Sequence, residues 1–161
     1  MDLRALELTH DAFQEYGSFL NPFDCGEPLN PGSPYEYFHD RLPLTFAGGN
    51  LITLSVQTIV QRPMIFSVTE AHDFTEEVFG GFYTDTVFHV GPPTDPPQLE
   101  KFKAFILPKQ YWVRVKRKVY HDAPFILGDE KKVLGWVLLP PFTAFNDSRE
   151  YQLKEDVKIL V

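Results

Sequence analysis

The sequence predicts an all-β fold, a β-barrel or a two-sheet sandwich with one short helix near the N-terminus. Three observations carry this. Short runs of alternating apolar and polar residues recur along the chain, separated by turn formers, as in barrels and sandwiches. Proline is abundant, 14 of 161 residues against an average near 5%, and it falls mainly between the apolar runs. No window longer than a dozen residues keeps helical periodicity, and no fixed repeat is visible.

Taken in order, the first element is the helix. Thr9 is its N-cap, Ala12, Phe13 and Tyr16 share one face, and Gly17 is placed to end it in the left-handed conformation. Residues 21–34 read as a loop, with Cys25-Gly26 and Asn30-Pro31-Gly32 as turns. Strands are expected at about 35–40, 50–61, 64–71, 78–83, 85–90, 102–107, 112–120, 132–139 and 150–160. Between them lie the breakers Gly48-Gly49, Arg62-Pro63, Gly80-Gly81, residues 91–97, Pro108, Gly128-Asp129 and Pro140-Pro141.

A chain of this length buries roughly 70% of its unfolded surface and folds without a staple, so residues 1–161 are expected to form a single domain. The 15 Phe, 7 Tyr and 2 Trp supply a large core. The net charge of −7 has the wrong sign for a general nucleic-acid binder. The run of cations at 101–118 reads mostly as one wet strand face. A lone cysteine, Cys25, permits no internal disulfide and fits a reducing compartment. The longest uncharged stretch, residues 133–146, is too short for a membrane span and is broken by Pro140 and Pro141. Asp2, Arg4 and Glu7 occupy the start where a secretory h-region would be apolar. Asn146-Asp147-Ser148 is read as a chance glycosylation match. The expectation is a cytoplasmic protein with no membrane and no nucleic-acid partner.

Candidate site residues come from sorting strands by parity, because successive side chains point to opposite faces. In 112–121, Val113, Val115, Arg117, Val119 and His121 share one face, so Arg117 and His121 interrupt an apolar series. In 64–72, Met64, Phe66, Val68, Glu70 and His72 share a face that also ends in ionisable groups. If both strands line one barrel, Glu70, His72, Arg117 and His121 converge at its mouth, where small-molecule sites sit. An Arg fork suits a ligand carboxylate, and a His tuned near neutrality suits proton transfer. The competing structural reading is a Glu70–Arg117 ion pair with both histidines at wet strand ends.

His39-Asp40 reads as an imidazole beside a carboxylate, or equally as a solvated strand end. His89 reads as structural, and Glu76-Glu77 as a solvated turn. His72, Glu76 or Glu77, and His121 offer two nitrogens and an oxygen, the count a catalytic zinc uses. There is no His-x-His, so the metal stays unassigned: no cofactor is required, and a divalent ion is not excluded. Gly48-Gly49 and Gly80-Gly81 lack the Lys-Ser/Thr of a phosphate loop, and no Gly-x-Ser-x-Gly is present.

Several segments together resemble the ureidoglycolate lyase family, a cupin-like β fold of similar length. They are residues 3–17, Tyr37-Phe38-His39-Asp40, Glu70-Ala71-His72, Phe102-Lys103-Ala104-Phe105-Ile106 and Arg117-Lys118-Val119-Tyr120-His121 with Pro124. The match spans roughly 3–140 and includes an opening strand before the helix. Where the family has a second imidazole after the aromatic, this chain has Asp122, and Asp73 stands where a Pro usually follows His72.

The resemblance implies cleavage of (S)-ureidoglycolate, or a related small hydroxy- or keto-acid, to glyoxylate and urea. In that reading His121 is the base, Arg117 clamps the carboxylate with His39 and Asp40 nearby, His72 or Glu70 serves the leaving nitrogen, and Asp122 replaces the missing imidazole. The alternative is a non-catalytic cupin-like module that binds a small carboxylate or sugar. A metal-dependent cupin isomerase or dioxygenase is a third. Residues 133–139 are apolar on both faces, so that strand is central or covered by a second subunit, and a homodimer is expected.

Overall fold

The computed structural model describes residues 1–45 and 51–161. The expected Gly48-Gly49 turn and the first residue of the 50–61 strand lie outside the described residues. The elements run β1 (Asp2–Glu7), α1 (His10–Phe13), β2 (Gly17–Leu20), β3 (Thr53–Val60), β4 (Ile65–His72), β5 (Glu77–Gly80) and β6 (Thr86–Gly91). After a 3-10 turn at Leu99–Lys101 come β7 (Lys103–Leu107), β8 (Trp112–Val115), β9 (Tyr120–His121), β10 (Phe125–Ile126), β11 (Lys132–Leu139), α2 (Thr143–Asn146) and β12 (Ser148–Leu160). The all-β expectation holds.

The strands form two sheets. One has the order β10-β6-β7-β1-β12-β4-β9, and β9 also pairs back onto β6. Six strands therefore close into a ring through the two-residue β9, which joins β4 at Glu70–His121 and β6 at Val90–His121. The N-terminal β1 lies parallel to both β7 and β12. The second sheet has the order β2-β8-β5-β11-β3 and is antiparallel throughout.

Strand alternation sorts the buried side chains into two cores. Phe88 and Phe105 of the ring meet Phe79, Val113 and Val133 of the second sheet, with Phe13 of α1 among them. The aromatic edges interlock: Phe13 meets Phe105 at 5.3 Å and Phe88 at 5.8 Å, and Phe79 meets Phe88 at 5.4 Å, all near perpendicular. The opposite parity of the same ring strands fills the ring itself, with Phe66, Val87, Ala104, Tyr120 and Val157. The alternation of β4 breaks after Phe66, where the pairing of β12 shifts register between Gln152 and Val157.

Several expectations are corrected. The helix is a single turn, capped by the Thr9 hydroxyl accepting from the Ala12 N–H at 3.3 Å. Gly17 does not terminate it but opens β2, where an added Cβ would lie 1.8 Å from the Arg114 carbonyl oxygen. Residues 35–40 form no strand. The 112–120 strand is broken by a turn at Arg117 and Lys118, so the parity that put Arg117 with His121 does not carry across it. β1, β2, β10 and α2 are additional to the elements expected from periodicity, the opening strand having been implied only by the resemblance.

Phe88 is fully buried at the centre of the inter-sheet aromatics. Phe88→Ala is expected to destabilise the fold by about 3–5 kcal/mol, read as a fall in the urea midpoint with the slope unchanged.

Candidate functional site

Four ionisable side chains meet between the sheets. β4 ends in Glu70-Ala71-His72, β9 sets His121 directly beside Glu70, and Glu77 opens β5 from the opposite sheet. Their ligand-type atoms all lie within 4.8 Å of one another. His121, His72 and Glu77 are almost fully buried, at 2%, 3% and 7% exposure; Glu70 is half-buried.

Backbone carbonyls fix both imidazoles. His72 donates its Nδ1–H to the Asp147 carbonyl at 3.1 Å, and His121 donates its Nδ1–H to the Val119 carbonyl at 2.9 Å. A carbonyl only accepts, so each ring turns its Nε2 toward Glu77, at 3.0 Å for His72 and 3.6 Å for His121. The Nε2 of His121 is buried and has no hydrogen-bond partner. The Asp147 carboxylate holds the turn between β4 and β5, accepting from the backbone N–H of Asp73 and Phe74 and from the Thr75 hydroxyl. The next residue, Ser148, donates its hydroxyl to Glu70.

The electrostatics follow from this packing. Burial opposes every charge here, yet the contacts between the groups outweigh it. Glu77 is carried down to about 2 by the two imidazoles that face it. His121 is pushed up to about 9 by Glu77 and then Glu70, and His72 is raised by Glu77. Two imidazolium ions and two carboxylates sum to zero. Two neutral imidazoles, two carboxylates and one divalent cation sum to zero as well, so the site is balanced for two protons or one such ion.

The donor set fits a metal. Imidazole nitrogen and carboxylate oxygen bind zinc and its neighbours at 2.0–2.2 Å, which places tetrahedral ligand atoms roughly 3.4 Å apart. The 3.0 and 3.6 Å separations straddle that value. Backbone acceptors on both Nδ1 atoms are the usual outer-shell support for a ligating imidazole, and the unpartnered His121 Nε2 is the atom an ion would satisfy.

The structure thus brings His121, His72 and Glu70 together, and supplies Glu77 as the acidic partner. Glu76 instead accepts from the Thr45 N–H at 2.8 Å and lies 3.7 Å from Arg114. The reading of Glu76-Glu77 as a solvated turn is corrected, since both are buried. Asp122 follows His121, half-buried, its carboxyl held above the usual range mainly by burial. Arg117 is exposed on its turn and is not a member of the cluster. His39 and Asp40 pair with each other at 2.8 Å on an exposed irregular segment, also outside it.

Periodicity missed Asp147 and Ser148, which look like an ordinary loop in sequence. It also missed the support behind β9. His89, buried inside the ring and pushed down to about 3 chiefly by burial, lies 2.9 Å from the Thr69 hydroxyl, and that hydroxyl donates to the His121 carbonyl. No protein-family model matches the chain, and no curated protein is significantly similar to it. No helix among the described residues is long and apolar enough to cross a membrane.

The proton balance sets a pH dependence. A raised His stabilises fully below its ordinary 6.5 and loses that contribution as pH climbs toward about 9 for His121. A lowered Glu stabilises fully above 4.5 and loses it as pH falls toward about 2. With chelator present, the melting temperature is expected to be highest near pH 4.5–6.5 and to decline between 6.5 and 9. Glu77→Gln should flatten the alkaline decline in melts taken at pH 5, 6.5, 8 and 9.

Proposed function

We propose that the protein is a lyase acting on a small hydroxy acid, (S)-ureidoglycolate being the first candidate, at a centre where His72, His121, Glu77 and Glu70 hold a divalent cation. The observation that supports this most is the convergence of two carbonyl-anchored imidazoles on one buried carboxylate. The substrate class rests on the resemblance in sequence. When bound, such a cation polarises a coordinated oxygen and makes its proton easier to remove.

The chain's own residues supply the remaining chemistry. The substrate hydroxyl loses its proton, the C–O bond becomes a carbonyl, the C–N bond breaks toward the urea nitrogen, and that nitrogen takes up a proton. Asp122 is the base in this reading, standing next to His121 with its carboxyl raised by burial. Returned to the departing nitrogen, the same proton closes the cycle. Glu70, the most exposed of the four donors and held by Ser148, is the one nearest solvent.

The near-complete burial of His72, His121 and Glu77 favours a second reading, in which the ion is structural and a small carboxylate binds without turnover. One experiment separates the two. The purified chain is assayed for bound metal and for glyoxylate and urea release from (S)-ureidoglycolate. The lyase reading expects about one equivalent of divalent metal, turnover that EDTA abolishes, and a loss of about 100-fold or more in His121→Ala. Metal without turnover above spontaneous decay supports the second reading. A metal-free protein whose turnover EDTA leaves untouched would overturn the metal centre.

We also propose that a second copy of the chain covers the outer face of β3 and β11. Leu54, Val56, Leu134 and Trp136 are 41–60% exposed there. β3 ends its sheet with eight residues that include no charge and no proline, the features that normally protect an edge. Light scattering at micromolar concentration is expected to give a dimer mass, and Val56→Lys a monomer.

A further inference from the structure

We propose a second ligand site at one end of the six-stranded ring, on the opposite face of β4 and β9 from the His–Glu cluster, that takes a small aryl anion: one flat ring carrying a carboxylate or phosphate. It stands independently of the lyase reading. Because neighbouring residues alternate, the strands that aim His72 and His121 between the sheets aim Ala71 and Tyr120 into the ring. Tyr120 meets Tyr151 edge-on at 5.0 Å and 86°. These two rings line a cavity whose rim includes Lys118 and Arg149. A second cavity adjoins it, sharing Asp73, Lys118 and Arg149 and adding Arg117.

Charge gives this end of the ring its selectivity. In a chain of net charge −7, Arg117, Lys118 and Arg149 gather at one rim. Asp73 engages Arg149 at 2.7 Å, while neither Arg117 nor Lys118 makes an ion pair among the described residues. The smaller cavity's own lining is balanced, Lys118 and Arg149 against Asp73 and Asp95, and Arg117 of the adjoining cavity leaves one cation in excess over the two together. The Arg149 guanidinium stands 5.6 Å from the Tyr151 ring, presenting a planar fork beside an aromatic floor. The smaller cavity, about 220 Å³, falls below the roughly 300–1,000 Å³ of drug-sized sites, which suits a single ring.

The backbone is committed to this arrangement. Lys118 adopts φ of 65°, a conformation non-glycine residues rarely take. It is held there by its N–H donating to the His72 carbonyl at 2.7 Å. Tyr120 donates its hydroxyl to the Thr94 carbonyl, which fixes the ring. The floor is an aromatic surface beneath a rim on which, over the two adjoining cavities, cations outnumber carboxylates by one, which matches an anion with a ring rather than an anion alone.

Isothermal titration of the purified chain with phenyl phosphate and with benzoate tests this. Saturable binding of at least one is expected, with inorganic phosphate and benzyl alcohol each at least about tenfold weaker, because each offers only half of the recognition. Arg149→Gln and Lys118→Gln should each weaken binding about fivefold or more and together abolish it, with circular dichroism, metal content and glyoxylate release unchanged. No binding of either aryl anion at millimolar concentration overturns the proposal. So does undiminished affinity in the double variant, or inorganic phosphate binding as tightly as phenyl phosphate. These readouts do not depend on catalysis, so a failed lyase assay leaves them interpretable.

Discussion

The Glu77 carboxylate, buried between two imidazoles, is the constraint around which the middle of the molecule is organised. An unpaired carboxylate at that depth would cost several kcal/mol, and nothing apolar in the inter-sheet core offsets it. His72 and His121 face it, and their orientation depends on two backbone carbonyls, Asp147 and Val119. The Asp147 carboxylate in turn fixes the β4–β5 turn that delivers Glu77. Removing any one of these groups leaves another buried polar atom without a partner.

The ring closure serves the same centre. β9 is only two residues long, yet it bridges β4 and β6 and sets His121 beside Glu70. A strand so short gains little from its own hydrogen bonds. It is held by Val119 and Tyr120 packing into the two cores on either side, and by the Thr69 hydroxyl, backed by His89, on the His121 carbonyl. The flat stacking of His89 on Phe66, 3.7 Å and 1° apart, keeps that imidazole dry and neutral.

Alternation along β4 and β9 gives the two faces different chemistry from adjacent residues. One parity delivers Glu70, His72 and His121 toward Glu77 of β5; the other delivers Tyr120 into the ring, where it meets Tyr151 of β12. Electrostatic free energy dominates the first because water is excluded. Solvent screens the charges of the second, so its rim cations act together with shape and aromatic surface rather than alone.

Sequence alone determined the class of fold, because alternation, proline placement and the absence of helical periodicity are local properties. It also picked out His72, Glu70 and His121, each an ionisable residue closing an apolar strand face. It failed where local patterns do not reach. The turn at Arg117 and Lys118 interrupts an alternation that reads as continuous, so Arg117 moved from the core face to the surface. Glu77 looked solvated beside Glu76, because its burial comes from the opposite sheet. Asp147 and Ser148 lie about 75 residues from the groups they hold. Only the tertiary structure decided that β1 is inserted in parallel between β7 and β12, that the ring closes through β9, and that four titratable side chains meet within 4.8 Å. Those outcomes rest on long-range pairing and desolvation, which no window of neighbouring residues contains.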